Sequence, residues 1–275
     1  MKKRLVAVMT FIVGLIAVFT NIYRDTYVFK CKKNTFQSPK LPTNMSLTIL
    51  QISDLHNHVF GANNERLLSA VTAAQADILV LTGDLIDRKT QSFNQVFYLI
   101  ERLTASHSHV YFITGNHEIG NSQTSAFLHG LHRRHVTILN NRNATITING
   151  LTINLAGVAD ASSGYDHPEA AFRALDTDDF TILLSHTPEI VELYAPESIP
   201  ADLILSGHTH GGQVRLPLIG AILSADHTLF PKLVKGTYLL GPDRYLYIDS
   251  GLGTTRLPIR FLNQSQFSLL TITGK

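Results

Sequence analysis

Five short apolar runs in this chain each end abruptly in aspartate, asparagine or histidine. The clearest run covers residues 78–81 and reaches Asp84 through a Thr-Gly pair. An apolar run of this length, bounded by glycine, is typical of a buried strand. Segments with helical spacing of apolar residues, such as residues 64–75, separate the runs. This alternation predicts an α/β or α+β fold.

The five runs lead into side chains that can bind metal ions. In chain order these are Asp54 and His56, then Asp84, then Asn116 and His117, then His186, and finally His208 and His210. Taken singly, an aspartate or asparagine after a strand is usually a cap or a turn residue. In a sheet whose strands alternate with helices, however, the carboxyl ends of the strands meet along one edge. The sequence therefore predicts that these side chains form one cluster.

The predicted cluster has the donor chemistry of a two-metal site. Imidazole and carboxylate without thiolate suit Mn, Fe, Zn, Ni or Co. About seven donors exceed the four that a structural zinc ion takes. They suit two ions that share a bridging carboxylate, hold a bridging hydroxide and clamp a phosphoryl group during in-line displacement. The single cysteine, Cys31, excludes an intrachain disulfide and a cysteine-based zinc site.

The motifs that carry these residues resemble those of the calcineurin-like metallophosphoesterase superfamily. In chain order they are Asp54-x-His56, Gly83-Asp84-x-x-Asp87-Arg88, Gly115-Asn116-His117-Glu118, His186 and Gly207-His208-x-His210. The resemblance extends from about Asp54 to Gly212, with no motif position substituted. It implies a four-layer αββα sandwich, in which two mixed sheets face each other and helices lie outside.

Two further features are most similar to the membrane-anchored bacterial branch of that superfamily. One is the apolar N-terminal segment, and the other is Gly211-Gly212-Gln213 before an apolar loop. The branch comprises the YkuE/YaeI-like phosphoesterases and is related to the UDP-2,3-diacylglucosamine pyrophosphatases. Residues 216–223 and 229–231 would then line an acyl-binding or membrane-facing lip, with ordinary core packing as the alternative.

The resemblance also implies a role for each motif residue. One ion would be held by Asp54, His56 and His210, the other by Asn116, His186 and His208, and Asp84 would bridge both. His117 would stand at the leaving-group oxygen as general acid or electrostatic stabiliser, and Asp87 would orient it. Arg88 is a candidate phosphate contact, since a guanidinium pairs well with phosphate oxygens. An exposed salt bridge is the alternative for Arg88.

The N-terminus has the length and composition of a membrane anchor. Three basic residues precede an apolar segment that runs from Leu5 to about Tyr23, within the ~17–25 residues that a membrane helix needs. A cleaved signal peptide is the alternative, but no small-x-small cleavage pair precedes a clear mature start. We therefore expect an uncleaved single-pass anchor over residues 1–23, a juxtamembrane segment with a first strand over 24–45, and a metallophosphoesterase domain over 46–275.

Positive charge is concentrated at the N-terminus. Residues 1–40 hold eight of the 23 Lys and Arg but one of the 21 Asp and Glu, so this segment carries +7 and the remainder −5. The acidic remainder argues against a broad nucleic-acid surface, and no nucleic-acid partner is expected. Basic residues flank both ends of the apolar segment, so the positive-inside rule is nearly balanced, and an extracytoplasmic domain is slightly favoured.

The sequence thus predicts a membrane-anchored, dinuclear phosphoester hydrolase. A phosphodiesterase or pyrophosphatase that acts on a membrane-associated or lipid-linked substrate fits best. The alternatives are a non-catalytic metal-binding scaffold or receptor domain and a nuclease-type phosphodiesterase. No P-loop or G-x-S-x-G motif is present to support a kinase-like or serine-hydrolase activity.

Two local signals predict individual elements. Asn149-Gly150 between β-prone segments predicts a hairpin over about residues 145–156. Thr187-Pro188 predicts the start of a helix, with the threonine as N-cap and the proline in the first turn.

Overall fold

Two six-stranded β-sheets form the centre of the molecule in a computed structural model, which describes residues 2–221, 230–255 and 257–275. In spatial order the first sheet consists of β1 (Lys30–Ser38), β14 (Gln266–Gly274), β2 (Ser46–Ile52), β3 (Ile78–Leu81), β4 (Val110–Phe112) and β5 (Thr137–Ile138). The second consists of β12 (Gly236–Gly241), β13 (Arg244–Ile248), β9 (Leu203–Ser206), β8 (Phe180–Leu184), β7 (Leu151–Gly157) and β6 (Arg142–Ile148). A separate short hairpin joins β10 (Arg215–Leu216) to β11 (Gly220–Ala221).

Parallel pairing dominates the centre of both sheets. Strands β2 to β5 pair in parallel in the first sheet, and β7, β8, β9 and β13 do so in the second. Central strands of this kind are buried on both faces, which explains their continuous apolar sequences. Strand β14 runs antiparallel to β2, as do β6 to β7 and β12 to β13, so both sheets are mixed.

Helices cover the outer face of each sheet. The α-helices of the described residues are α1 (Lys2–Tyr27), α2 (Glu65–Ala74), α3 (Asn94–Ser106), α4 (Asn116–Ile119), α5 (Thr124–His132), α6 (Pro168–Ala171) and α7 (Ile190–Leu193). Helices α2, α3 and α5 pack on the first sheet, and α6 and α7 pack on the second. A third apolar core, with Ile49 and Val80 from one sheet and Ile182 and Leu205 from the other, lies between the sheets. The predicted four-layer αββα sandwich is confirmed.

Register brings the carboxyl ends of the central strands level with one another. In the first sheet Leu81 pairs with both Ile52 and Phe112, the last residues of β2 and β4. In the second sheet Leu184, the last residue of β8, pairs with Leu205 of β9. The loops that follow these five strands are the loops that carry the predicted site residues.

The predicted hairpin is confirmed, and it consists of β6 and β7. Its turn residues, Asn149 and Gly150, both have positive φ, at 53° and 85°. A two-residue turn with two positive φ values matches the right-handed twist of the flanking strands. This turn is therefore the type that the Asn-Gly pair favours.

The predicted helix start at Thr187-Pro188 is wrong, because α7 begins at Ile190. The Thr187 hydroxyl donates instead to Asp160 Oδ1 at a distance of 2.6 Å. This hydrogen bond turns the Thr187 side chain toward Asp160 rather than toward the backbone N–H groups that a helix N-cap serves. A tertiary contact thus replaces the local cap that the sequence suggests.

Helix α1 differs from the other helices in its exposure. It is the one helix of the described residues that is long and apolar enough to cross a membrane, with a mean hydropathy of 2.4 and none of that apolar window buried. The helix continues past Tyr23 to Tyr27, and its last turn holds two fully buried residues, Asp25 and Thr26. Strand β1 follows directly and pairs with β14 at the edge of the first sheet.

Candidate metal centre

The structure brings all seven predicted metal-binding residues together at the ends of β2, β3, β4, β8 and β9. Ligand atoms within 4.8 Å of one another define three overlapping groups: Asp54, His56 and His210; His56, Asp84 and His117; and Asp84, His186 and His208. The side-chain amide of Asn116 completes the cluster, since one end lies 3.2 Å from both Asp84 Oδ2 and His208 Nδ1. Four of the seven residues come from the first sheet and three from the second.

Most of these residues have an unusual backbone. Positive φ values occur at Asp54 (50°), His56 (47°), Asp84 (53°), His208 (68°) and His210 (50°). Residues other than glycine seldom adopt this left-handed conformation, and they keep it only where the surrounding structure holds it. Strain of this kind is concentrated at functional sites, so the loops are held in a conformation that serves the cluster rather than local stability.

Two glycines allow the loops of the two sheets to approach closely. A Cβ atom at Gly83, whose φ is +90°, would lie 2.7 Å from both Gly115 N and His186 Nδ1. A Cβ atom at Gly207 would overlap the Ser53 hydroxyl. Only glycine therefore fits where the loop after β3 meets the loop after β8.

Glu118 holds the loop that carries Asp84. Its buried carboxylate accepts hydrogen bonds from the backbone N–H groups of Asp84 (2.8 Å), Leu85 (2.7 Å), Ile86 (3.2 Å) and Gly115 (2.9 Å). Burial and then the charge of Asp84 raise the pKa of Glu118 to about 7, against these hydrogen bonds. The contacts join the loops after β3 and β4 through one side chain.

Facing acceptor atoms indicate that a cation fits the centre. His56 Nε2 lies 3.1 Å from His210 Nε2, and His208 Nδ1 lies 3.2 Å from His186 Nε2. Each facing pair can share at most one proton as a neutral hydrogen bond, whereas a cation between the nitrogens would satisfy both lone pairs. Carboxylates lie at similar range, with His186 Nε2 3.2 Å from Asp84 Oδ2 and His210 Nε2 3.4 Å from Asp54 Oδ1.

The amide of Asn116 faces this centre at one end and Arg88 at the other. Arg88 Nη2 lies 2.7 Å from the outer end and donates to it when that end is the amide oxygen. In that orientation the Asn116 NH₂ group donates to Asp84 and His208. A metal ligand must instead turn its oxygen inward, so binding of a cation at Asn116 would release the hydrogen bond from Arg88.

Hydrogen bonds orient two of the imidazole rings. His186 Nδ1 lies 2.7 Å from the Thr82 carbonyl oxygen, and His56 Nδ1 lies 2.7 Å from Asp87 Oδ1. Both partners accept only, so Nδ1 carries the proton in each ring. Nε2 is therefore the nitrogen left to bind a cation, as in metal sites where a second hydrogen bond fixes the tautomer.

Charges within the cluster move the histidine pKa values in opposite directions. Burial lowers the pKa of His186, but the Asp84 carboxylate outweighs it and raises that pKa well above its ordinary value. Burial, His56 and Arg260 hold the pKa of His210 well below its ordinary value. His210 thus stays neutral and able to bind a cation, whereas a cation at His186 must displace a proton.

His117, Asp87 and Arg88 lie on the solvent side of the cluster. The His117 ring packs edge-on against His56, with ring centres 4.6 Å apart, and its side chain is 22% exposed. His117 Nδ1 lies 3.3 Å from Asp87 Oδ1 without hydrogen-bond geometry, so Asp87 contacts His56 more closely than the predicted partner. Arg88 is exposed and reaches Asn116 rather than a carboxylate.

Two buried residues at the site, Glu118 and Arg260, were not predicted from the sequence. Glu118 stands inside a quoted motif, and the acid directly after His117 was the available signal. Arg260 is fully buried beside His210, where Arg260 Nη1 donates to the His210 carbonyl oxygen at 3.4 Å. Nothing in the surrounding sequence distinguishes this arginine, because the contact joins segments 50 residues apart.

The structure describes residues 216–221, 230 and 231 of the predicted apolar lip. Leu216, Leu218 and Ile219 are exposed at the β10–β11 hairpin, and so is Phe230. Core packing is therefore not the role of these four side chains. Residues 222, 223 and 229 of the predicted lip lie outside the described part of the chain.

Comparisons with known proteins identify a family and similar sequences. A family model described as calcineurin-like phosphoesterase matches residues 47–212, which is more than half of the chain. The chain is 28% identical over 256 residues to the uncharacterized metallophosphoesterase YkuE of Bacillus subtilis (strain 168), covering 91% of this chain and 87% of that protein. It is 29% identical over 249 residues to a bovine (Bos taurus) transmembrane protein with metallophosphoesterase domain, covering 85% of this chain and 54% of that one.

A solved structure with a similar fold is the NAD nucleotidase of Haemophilus influenzae. The TM-score is 0.48 and the sequence identity 16%, over 75% of this chain and 45% of the nucleotidase. The chain thus spans about half the length of the nucleotidase and of the bovine protein.

Proposed function

This chain belongs to the calcineurin-like phosphoesterase family and is a metal-dependent phosphoesterase, and from that premise we propose that it works with two divalent ions. The proposed ligands are Asp54, His56 and His210 for one ion, Asn116, His186 and His208 for the other, and Asp84 for both. The observation that carries the proposal is the convergence of these seven side chains, within which two pairs of histidine nitrogens face each other at 3.1 and 3.2 Å. Mn, Fe, Zn, Ni and Co all suit these donors.

The residues around the centre divide the remaining tasks. When bound, two ions would supply an activated water and neutralise charge on the phosphoryl group. His117 borders the cluster and is partly exposed, so it can donate a proton to the leaving-group oxygen of a bound ester. Asp87 limits the motion of His56 and His117, and Arg88 offers a guanidinium to phosphate once Asn116 turns inward.

We also propose that α1 anchors the protein in a membrane and that the substrate is a membrane-associated or lipid-linked phosphodiester or pyrophosphate. No residue of the apolar window of α1 is buried, and only a lipid or protein partner would cover this surface. The name of the bovine relative, a transmembrane protein, supports the anchor. Exposed Leu218, Ile219 and Phe230 offer apolar surface for a lipid chain.

Hydrolysis of p-nitrophenyl esters by the full chain in detergent micelles tests the phosphoesterase mechanism. We expect Mn²⁺-dependent hydrolysis of bis-p-nitrophenyl phosphate or p-nitrophenyl phosphate. Asp84→Ala should abolish it, because both ions lose a ligand. His117→Ala should lower kcat by about 10²–10⁴-fold through loss of the general acid. His132→Ala, an exposed histidine at the end of α5, is the matched control and should keep wild-type activity.

Activity that survives both Asp84→Ala and His117→Ala would refute the mechanism. A second arm of the same assay compares a soluble diester with a phosphodiester or pyrophosphate lipid in mixed micelles. A higher kcat/KM for the lipid is expected if the substrate lies in the membrane. Equal turnover of both would remove the lipid-linked part of the proposal and leave the phosphoesterase in place.

A further inference from the structure

The last turn of α1 is built into the domain. Asp25 Oδ2 accepts from the Asn263 backbone N–H at 2.9 Å, and the Asp25 carbonyl accepts from Ser265 N–H at 2.8 Å. The Thr26 hydroxyl oxygen accepts from Arg260 N–H at 2.8 Å. Asp25 and Thr26 are both fully buried, unlike the preceding residues of the helix. The end of the candidate anchor is thus fixed to residues 260–265, here named the support loop.

The support loop contacts His210 on its other side. Asn263 Nδ2 donates to the His210 carbonyl oxygen at 2.6 Å, and Arg260 Nη1 donates to the same oxygen at 3.4 Å. The space beside His210 is filled, because a Cβ atom at Gly211 would lie 2.7 Å from Asn263 Oδ1. A shift of the support loop therefore cannot be absorbed without moving the backbone of His210.

Arg260 joins the end of α1 to His210, since its backbone contacts Thr26 and its side chain contacts His210. The buried guanidinium donates to the carbonyl oxygens of Gly253 (2.9 Å from Nε) and Ser250 (2.6 Å from Nη2) as well as to His210. The backbone N–H of the same residue is held by Thr26. A buried arginine that donates to several carbonyl oxygens has one favourable position. A displacement of the Arg260 backbone at Thr26 should therefore also move its guanidinium at His210.

We propose that Asp25 and Thr26 are positioning residues for the metal centre, which act on His210 through the support loop. The inference rests on the proposed role of His210 as a metal ligand. It assigns to the end of α1 a task beyond attachment: the helix that would hold the protein in a membrane also holds one ligand of one ion. The ion at Asp54, His56 and His210 should respond to this contact, while the ion at His186 and His208 should not.

Mn²⁺ binding to the full chain in detergent micelles tests the inference, with Thr26→Val as the main variant. Valine keeps the shape of threonine but removes the oxygen that accepts from Arg260 N–H. We expect one of two Mn²⁺ equivalents to bind about tenfold more weakly, at the lower end of the loss seen when groups that orient a ligand are removed. Thr26→Ser keeps the hydroxyl and should restore wild-type affinity. Thr20→Val makes the same change on the exposed part of α1 and should have no effect.

Asn263→Ala breaks the other side of the connection and should weaken the same equivalent, which keeps the test open if Thr26→Val does not fold. Wild-type affinity for both equivalents in folded Thr26→Val or Asn263→Ala would overturn the inference. Equal weakening of both equivalents would also overturn it, because it would indicate general destabilisation. Wild-type protein that binds two Mn²⁺ but hydrolyses no ester would refute the proposed function and leave this inference standing.

Discussion

Asp87 contacts two histidines, His56 and His117, and it lies closer to His56 than to the partner that the motif resemblance implies. The motif resemblance implies that Asp87 orients His117, whereas Asp87 Oδ1 lies 2.7 Å from His56 Nδ1 and 3.3 Å from His117 Nδ1. Burial opposes the charge of Asp87, but its contacts with His117 and His56 hold its pKa well below its ordinary value. Asp87 is therefore a carboxylate that fixes a proposed metal ligand and borders the proposed acid.

Asp87→Asn should separate these two roles. The variant keeps an oxygen toward His56 but loses the charge, so we expect Mn²⁺ affinity to fall about 10–100-fold. At saturating Mn²⁺, kcat should fall by a smaller factor. Both quantities are measured on the full chain with bis-p-nitrophenyl phosphate, and Asp178→Asn, an exposed aspartate, is the control. A fall in kcat with unchanged Mn²⁺ affinity would show that His117 is the partner that matters.

The cluster residues could be predicted from the sequence, but the residues that hold them could not. Histidine and aspartate after an apolar run carry their own chemical signal. Arg260 supports the same site through carbonyl oxygens, and any residue supplies a carbonyl. The identity of its partners therefore depends on the folded chain rather than on a local pattern.

At the scale of elements, two loop glycines differ in how closely the surrounding atoms approach them. Gly83 and Gly150 both have φ near +90°, at 90° and 85°. Gly83 lies against the opposite loop, whereas a Cβ atom at Gly150 would meet no atom within 4 Å. Substitution of Gly150 and of Gly83 by alanine therefore distinguishes the stability lost through a positive φ from the stability lost through close contact.

Gly83→Ala should destabilise the protein far more than Gly150→Ala. Backbone strain alone costs about 1–2 kcal/mol for alanine at positive φ, and this is the expected loss at Gly150. At Gly83 the added methyl also displaces Gly115 or His186, so a loss above about 3 kcal/mol is expected. Urea unfolding of the full chain measures both losses. Equal losses would show that the loops around Gly83 can relax.

Strand and hairpin positions followed from local pattern, and the failure at Thr187 has a physical cause. The Asn149-Gly150 turn needs no distant partner, so the sequence specifies it locally. The hydroxyl of Thr187 instead satisfies Asp160, which also accepts from the Ser162 and Ser163 hydroxyls at 2.6 and 2.7 Å. Leaving the buried Asp160 carboxylate without one of its three hydroxyl donors would cost more free energy than leaving one helix N-terminus without a cap.

At the scale of the whole molecule, the centre is shared between the two sheets. Asp54, His56, Asp84 and Asn116 follow strands of the first sheet, and His186, His208 and His210 follow strands of the second. Residue pattern alone predicted one cluster at one sheet edge, and the resemblance supplied the second sheet. Apolar runs do not reveal which strands pair, because every buried strand has the same sequence character.

Removing metal should therefore loosen the contact between the sheets. A ligand that binds only the folded state stabilises it by about 2.7 kcal/mol per site at 100 times its Kd. We expect EDTA to lower the urea midpoint of the wild-type chain and Mn²⁺ to restore it. Asp84→Ala, which removes one ligand from each proposed ion, should show a smaller change in midpoint with either treatment. An unchanged wild-type midpoint would mean that no ion joins the sheets.

Strand β14 lies between β1 and β2, although it comes far later in the chain than either. During synthesis the neighbouring strands must wait with unpaired backbone edges until residues 266–274 have left the ribosome, and open edges of this kind invite pairing with other chains. If α1 is already inserted in a bilayer, this waiting chain is tethered rather than free. Synthesis from the N-terminus would thus delay catalytic activity until β14 has been made. A chain stalled before residue 266 would have an incomplete first sheet.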